Sequence, residues 1–277
     1  MVEVSTVGFI GVGEIAGAMV EGLLGGAGAT GATGATGDAG SAGSPTTVVL
    51  SPRGRDRVAA LQERFAGTGR LTVASSNAAV AAAAETVVVS VRPEQLTTAL
   101  DGVEFRAGQT VVSTLAGVDL ATLRAAVGDG PDIVRSVPLP PVARRAGITP
   151  VIPASPVAVA LFDLLGGHMA VADEDQMAAV TVLTGAQTGL LQYVADLARW
   201  AAEHGLDAAA SERFVRSSAA GLAPALQDAA TPIDDVIDTF ETPGGLNWQL
   251  RTGFFDVDTT AVLDRELDRL HARVRGE

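Results

Sequence analysis

The sequence predicts an α/β chain: a mostly parallel, doubly wound sheet domain followed by an all-helical domain. Three observations carry that reading. Short β-branched runs alternate with helical patterns as far as residue 137. A glycine-rich turn separates the first strand from the first helix. Beyond about residue 173 the strand patterns stop and only helical spacing remains.

The elements follow in order. Residues 4–11, VSTVGFIG, read as a short buried strand, and Ala16, Met19, Val20, Leu23 and Leu24 follow at helical spacing. Residues 25–45 repeat GAT three times and hold no bulky apolar side chain, which predicts a flexible insertion. Strand runs resume at 47–50, 71–74, 86–91, 110–115 and 132–137, with helices near 55–66, 76–85, 93–102 and 118–127. Strands that alternate with helices imply a parallel sheet covered on both faces. In the second half, Leu190, Leu191, Val194, Leu197, Ala198 and Ala201 mark a helix closed by Gly205. Further helices are predicted from Asp207 to Leu226, from Thr231 to Phe240 and from Asp258 onward, with Thr231-Pro232 as an N-cap and N1 pair. These patterns place the domains at 1–172 and 173–277.

Composition narrows the chemistry. A net charge of −13 over 277 residues argues against a broad grip on nucleic acid. With no cysteine, disulfides and thiol nucleophiles are excluded. All 19 basic residues are arginine, so no Schiff-base or P-loop lysine exists. His168, His204 and His271 lie far apart without metal-site spacing, so no metal is expected, and Tyr193 is the only tyrosine. An enzyme this poor in acids and bases needs a cofactor for the difficult step. Neither a signal peptide nor a bilayer-length apolar run is evident, and the expectation is a cytoplasmic protein without membrane or nucleic-acid partners.

Gly11-Val12-Gly13-Glu14-Ile15-Ala16 is a G-x-G-x-x-A segment between strand and helix. The first glycine permits the turn, the second lets backbone approach a pyrophosphate, and the small third residue packs helix on sheet. The phosphates would meet the free N–H groups of the helix. The bland alternative is a tight turn without a ligand. At the end of the second strand stands Ser51-Pro52-Arg53-Gly54-Arg55, with no acid until Asp56. A hydroxyl and two guanidinium groups suit a 2′-phosphate, so NADPH is expected over NADH, against the alternative of a solvated helix start.

VGFIGVGEIAGAMVEGLL, SVRPEQ, VVSTLAG, VRSVPLPP and ETPGGLNWQL occur in that order, and together they resemble the pyrroline-5-carboxylate reductase family. The resemblance implies a Rossmann domain plus a helical dimerisation domain, and a homodimer or larger homo-oligomer with its active site where subunits meet. It also implies hydride transfer from NAD(P)H to a cyclic imine, pyrroline-5-carboxylate or a close analogue. Carried over by motif, Gly11, Gly13 and Ala16, with Glu14 and Ile15 between them, would face the pyrophosphate. Ser51 and Arg53 would meet the adenosine phosphate, and Val91, Arg92, Pro93, Ala116 and Gly117 would flank the cofactor. Gly244, Gly245, Leu246, Asn247 and Leu139 would line the substrate. Thr242 and Thr184, with Thr188 beside them, are the candidate proton donors, and Asn247 is an orienting amide; for each, a plain turn or helix role is the alternative.

The departures from the family pattern fall mainly at the substrate end. The usual M-P-N-T-P is Val137-Pro138-Leu139-Pro140-Pro141, and S-G-S-G-P-A is Thr184-Gly185-Ala186-Gln187-Thr188-Gly189. A Thr-Thr pair is replaced by Leu246-Asn247, and Glu14 stands where a neutral amide is usual. Two other readings therefore stay open: an NADP-linked oxidoreductase with another imine, a keto acid or a deazaflavin as substrate, and a dinucleotide-binding regulator without catalysis.

Overall fold

The computed structural model describes residues 4–25 and 46–277; beyond Gly25, the predicted insertion lies outside the described residues. The chain forms two compact units, the first ending at Thr181 and the second running from Val182 to Glu277.

The first unit contains β1 (Thr6–Ile10), α1 (Glu14–Leu24), β2 (Thr47–Leu50), α2 (Arg55–Phe65), β3 (Leu71–Val73), α3 (Asn77–Ala83) and β4 (Thr86–Val89). It continues with α4 (Leu96–Leu100), β5 (Thr110–Ser113), α5 (Leu120–Val127), β6 (Asp132–Ser136), β7 (Thr149–Ile152), α6 (Pro156–Asp163), β8 (His168–Ala170) and most of α7 (Glu174–Leu183). The strands form one sheet in the order 3-2-1-4-5-6-7-8, parallel at every pairing except β6 with β7. The expected doubly wound sheet is thus present, with two strands that the pattern did not announce. Residues 93–102, expected as one helix, are a 3-10 turn at Pro93–Gln95 followed by the short α4, because Pro93 and its neighbours tighten the entry.

Side chains alternate along β1. Val7 and Phe9 enter a core with Met19, Val20 and Leu23 of α1, Val58 and Leu61 of α2, and Leu161 and Phe162 of α6. Ile10 enters the opposite core with Val80 of α3, Leu96 and Ala99 of α4, and Leu123 of α5. Gly8 also faces α3, where a Cβ would lie 2.6 Å from Val80 Cγ1. The two buried faces explain why the central strands read as continuous apolar runs.

Helix α1 is held at its far end by the segment after β6. The 3-10 helix Pro140–Arg144 packs against it so closely that a Cβ on Gly22 would lie 2.2 Å from the Val142 carbonyl oxygen. Arg145 then takes φ +53, the only left-handed non-glycine residue among those described, and its Nε donates to the Gly22 carbonyl at 2.8 Å. Arg70 donates to the Leu23 carbonyl at 3.2 Å. Two guanidinium groups thus satisfy carbonyls in the last turn of α1, where the helix dipole is negative.

The second unit holds α8 (Ala186–Glu203), α9 (Ala208–Ala220), α10 (Ala223–Gln227), α11 (Ile233–Phe240), α12 (Leu246–Phe254) and α13 (Val257–Arg275). The single helix expected from Asp207 to Leu226 is two, broken at Gly221 and Leu222, because Pro224 cannot continue the ladder and restrains the residue before it. The expected Thr231-Pro232 cap is also corrected. Pro232 holds the N-cap position, and the Thr231 hydroxyl donates to the Asp228 carboxylate at 2.7 Å. Helix α13 starts one residue before Asp258, capped by Asp256 accepting from the Thr259 N–H.

Gly22→Ala tests the packing at the end of α1. Overpacking against a backbone carbonyl should destabilise the protein by about 1–3 kcal/mol, read from the shift in urea midpoint. Gly253→Ala, inside α12 with no atom within 4 Å of its Cβ position, should instead leave stability unchanged or raise it by up to about 1 kcal/mol.

Candidate functional site

In a parallel sheet the strands' carboxyl ends share one edge, and a crevice opens where strand order reverses, here between β1 and β4. The residues that follow those strands converge there. Gly11, at φ +90, ends β1 so close to β4 that a Cβ would lie 2.5 Å from the Ser90 carbonyl oxygen and 2.7 Å from Val91 Cγ1. Gly13 is the N-cap of α1, makes no side-chain cap, and has no atom within 4 Å of its Cβ position. Ala16 is fully buried against the sheet. The turn therefore combines one glycine forced by backbone approach with another that faces open space, and it presents the unpaired N–H groups of the first turn of α1. That cradle fits a pyrophosphate.

Ser51 occupies a different place from the one its motif suggested. It is fully buried, and its Oγ accepts from the Gly11 N–H at 3.0 Å, so it ties the end of β2 to the glycine turn rather than opening toward a ligand. Arg53, Gly54 and Arg55 are exposed at the start of α2, and Gly54, at φ +83, packs against the Val12 carbonyl. Arg57, which the sequence reading passed over, lies across α1, its Cδ and Nη1 each 2.9 Å from where a Cβ on Gly17 would sit. The signal was its alternation with Arg53 and Arg55. Arg92 and Pro93 follow β4 on the surface, with the Arg92 N–H donating to Gln95 Oε1 at 3.3 Å. Ala116 and Gly117 are exposed after β5, Gly117 at φ +74. Leu139 is half-buried where the chain leaves β6.

An ion pair between a buried arginine and a half-exposed glutamate supports this edge and was also missed. Arg135, on β6 and 4% exposed, bonds through Nη1 to Glu174 Oε2 at the start of α7. The other oxygen of Glu174 accepts from the Leu120 N–H at 2.9 Å, next to Asp119, the N-cap of α5. The Thr122 backbone N–H bonded to Asp119 is the main reason its carboxyl is held below the ordinary value, with the Arg135 charge adding to it. One carboxylate thus fixes the helix that begins just after Ala116 and Gly117.

Apart from Leu139 and Pro140, the residues expected at the substrate end lie in the second unit. Thr242, Pro243, Gly244 and Gly245 form the turn between α11 and α12, closed by the Gly245 N–H donating to the Thr242 carbonyl at 2.7 Å. Gly244 has φ +77, and Gly245 is the N-cap of α12. Asn247 Nδ2 donates to the Phe240 carbonyl at 2.8 Å, so that amide is engaged in holding the turn. Leu246 is 85% exposed. Glu241 and Arg251 bracket the turn with two hydrogen bonds at 2.5 and 2.8 Å. Thr184 stands between α7 and α8, and the Thr188 hydroxyl donates to the Gly185 carbonyl. Between Leu183 and Glu277 only Ser211 is buried, while Leu190, Leu191, Phe214, Leu226 and Val257 are each more than 60% exposed. Among the described residues no acidic or histidine cluster could hold a metal ion, and no helix is long and apolar enough to cross a membrane.

Comparison with known proteins follows the same division. Residues 6–117 match the family described as NADP oxidoreductase, coenzyme F420-dependent, and residues 174–262 match the pyrroline-5-carboxylate reductase dimerisation family. The class is thus a dinucleotide-binding oxidoreductase fold joined to a helical dimerisation domain. Over residues 174–262 the chain is thus similar to the dimerisation domain of the pyrroline-5-carboxylate reductases. Pyrroline-5-carboxylate reductase of Pseudomonas aeruginosa is 30% identical over 142 residues, a segment spanning about half of each protein: 48% of this chain and 52% of the relative. The structure of a pyrroline-5-carboxylate reductase from Coxiella burnetii superposes with a TM-score of 0.81 at 20% identity, covering 99% of this chain and 98% of that one. The Plasmodium falciparum pyrroline carboxylate reductase structure with NADP bound gives 0.73 at 14% identity, covering 99% and 97%.

The bracket around the glycine turn is testable. The Arg251 hydrogen bonds hold the Glu241 carboxyl below its ordinary value, so its contribution is complete above the ordinary carboxylate range and is lost as pH falls through the lowered value. Protection factors for amide exchange, corrected for the intrinsic rate at each pH, should therefore fall at Gly244 to Asn247 in Arg251→Ala and in parent protein at acid pH, while those in the β1–β4 strands stay unchanged.

Proposed function

We propose that the chain is an NADPH-dependent reductase of a cyclic imine, working as a homodimer or larger homo-oligomer in the cytoplasm. The observation that carries the reading is the open glycine cradle at the β1–β4 crevice, in a chain whose other half matches the pyrroline-5-carboxylate reductase dimerisation family. When bound, the reduced nicotinamide supplies the hydride that an imine carbon accepts. The chain's part is alignment and charge. Gly11, Gly13, Ile15 and Ala16 shape the pyrophosphate cradle, and Arg53, Arg55 and Arg57 gather positive charge for a 2′-phosphate. Val91, Arg92, Pro93, Ala116 and Gly117 border the dinucleotide along the strand ends. Gly244 and Gly245 leave the N–H groups that open α12 free for a substrate carboxylate. An imine not already protonated needs one proton at nitrogen, for which Thr242 and Thr184 are the candidate hydroxyls.

The substrate is a bulkier or more apolar imine than pyrroline-5-carboxylate. Leu139 and Pro140 replace an amide and a hydroxyl, Pro140 also lacks an N–H, and Leu246 adds exposed apolar surface. A small polar imino acid loses partners in such a setting, whereas an aryl or ring-expanded imine gains contact. The family matched by residues 6–117 is named for coenzyme F420, which favours a deazaflavin as the second reading.

Three measurements check these statements. NADPH should bind at least tenfold more tightly than NADH, and Arg53→Ala should remove most of that difference by losing a charge-assisted phosphate contact, an effect on the order of tenfold. Equal affinities in the parent would overturn the cofactor choice. NADPH oxidation should be faster with ring-expanded and aryl imines than with pyrroline-5-carboxylate, and turnover with a deazaflavin alone would favour the second reading. Light scattering at micromolar concentration should give at least a dimer, because the helical unit's apolar side chains require a second copy to cover them.

A further inference from the structure

We propose that Glu14 limits how tightly the dinucleotide is held, acting as an anion in place at the helix start when the cradle is empty and as a repulsive charge when it is filled. The inference rests on the dinucleotide reading above and assigns a role within that site. Glu14 is the first residue of α1, exposed, directly after the Gly13 N-cap. No described residue pairs with its carboxylate by hydrogen bond or ion pair. Gly13 supplies no side-chain cap, and Glu14 is the acidic residue in the first turn of α1, so among the described residues it is the anion that the helix itself places at its electropositive start.

The consequence differs between the two states. In the free protein a carboxylate in the first turn complements the helix dipole and the unpaired N–H groups. A pyrophosphate held by those N–H groups would meet the carboxylate as a like charge at the same helix start. The arginines do not cancel it. Arg53 and Arg55 flank Gly54 at the start of α2, and Arg57, which lies against α1 at Gly17 one turn along from Glu14, forms no ion pair with it. Positive charge is therefore gathered at one end of the bound dinucleotide and negative charge at its middle, which holds the cofactor by its 2′-phosphate and loosens its pyrophosphate. That combination favours release after turnover, a step that sets the rate in many enzymes.

Glu14→Gln keeps the side-chain shape and removes the charge. In low-salt, magnesium-free buffer the variant should bind NADPH and NADP more tightly than the parent by on the order of tenfold, by calorimetry or quenching of intrinsic fluorescence. The gap should close in 1 M salt, where the Debye length is about 3 Å. The free variant should meanwhile melt about 1–3 °C lower than the parent, because its helix start has lost an anion. Opposite signs in the free and loaded states are what a merely structural role would not give. Unchanged or weaker dinucleotide binding in the variant would overturn the proposal while leaving the reductase reading intact. A parent that binds neither dinucleotide would overturn that reading, and the proposal with it.

Discussion

Close backbone approach along the first strand and helix organises the first unit. At Gly8 the sheet meets α3, at Gly11 the turn meets the end of β4, and at Gly22 the helix meets the segment after β6. Ala16, fully buried, brings a small side chain to the middle of the same helix face. A side chain at any of these points would push apart two elements that both border the crevice. The hydrogen bond from the Gly11 N–H to Ser51 adds a third element to the same corner. The geometry available to a dinucleotide is thus set by missing side chains more than by reactive ones, which suits a chain whose chemistry is alignment.

Charge is arranged around that frame with few residues. Every cation is an arginine, and the ones at the crevice divide between two tasks. Arg53, Arg55 and Arg57 are directed outward near the glycine turn, whereas Arg135 is spent inside, on Glu174. A partly buried pair of this kind contributes little net stability, but removing one partner leaves a charge stranded. Its value here is geometric: a single carboxylate joins a strand end to the starts of two helices. The helical unit follows a different principle. Its helices expose large apolar side chains and enclose almost none, which fits the match of residues 174–262 to a dimerisation family.

Much of this was legible in the chain before any coordinates. Alternation of strand and helix patterns gave the sheet, and the position of Gly11, Gly13 and Ala16 gave its crevice, because both depend on local spacing. β7 and β8 were not legible. β7 includes Pro150 and β8 is three residues, His-Met-Ala, without a β-branched side chain, so only pairing with a neighbour makes either a strand. Ser51 shows a similar limit at the site. Its residue type suited a phosphate, but whether a hydroxyl faces a ligand or a backbone N–H depends on the neighbouring turn. The Arg135–Glu174 pair spans 39 residues and leaves no periodic trace. Asn247 was marked for the substrate end, and its engagement with Phe240 became visible only once the turn between α11 and α12 was formed.

The anchoring of the segment after β6 has an evolutionary consequence. That segment is fixed at its far side, where Arg145 grips the end of α1 and Val142 sits against Gly22, while Leu139 and Pro140 stand at its near side, half-buried and exposed respectively. Residues that hold the segment and residues that would face a substrate are therefore different residues. Exchange at the near side can proceed without loosening the far side, so successive substitutions there meet a low barrier. On the function proposed above, a lineage with this arrangement could drift from one imine to another through a series of folded intermediates, each still able to seat the same dinucleotide.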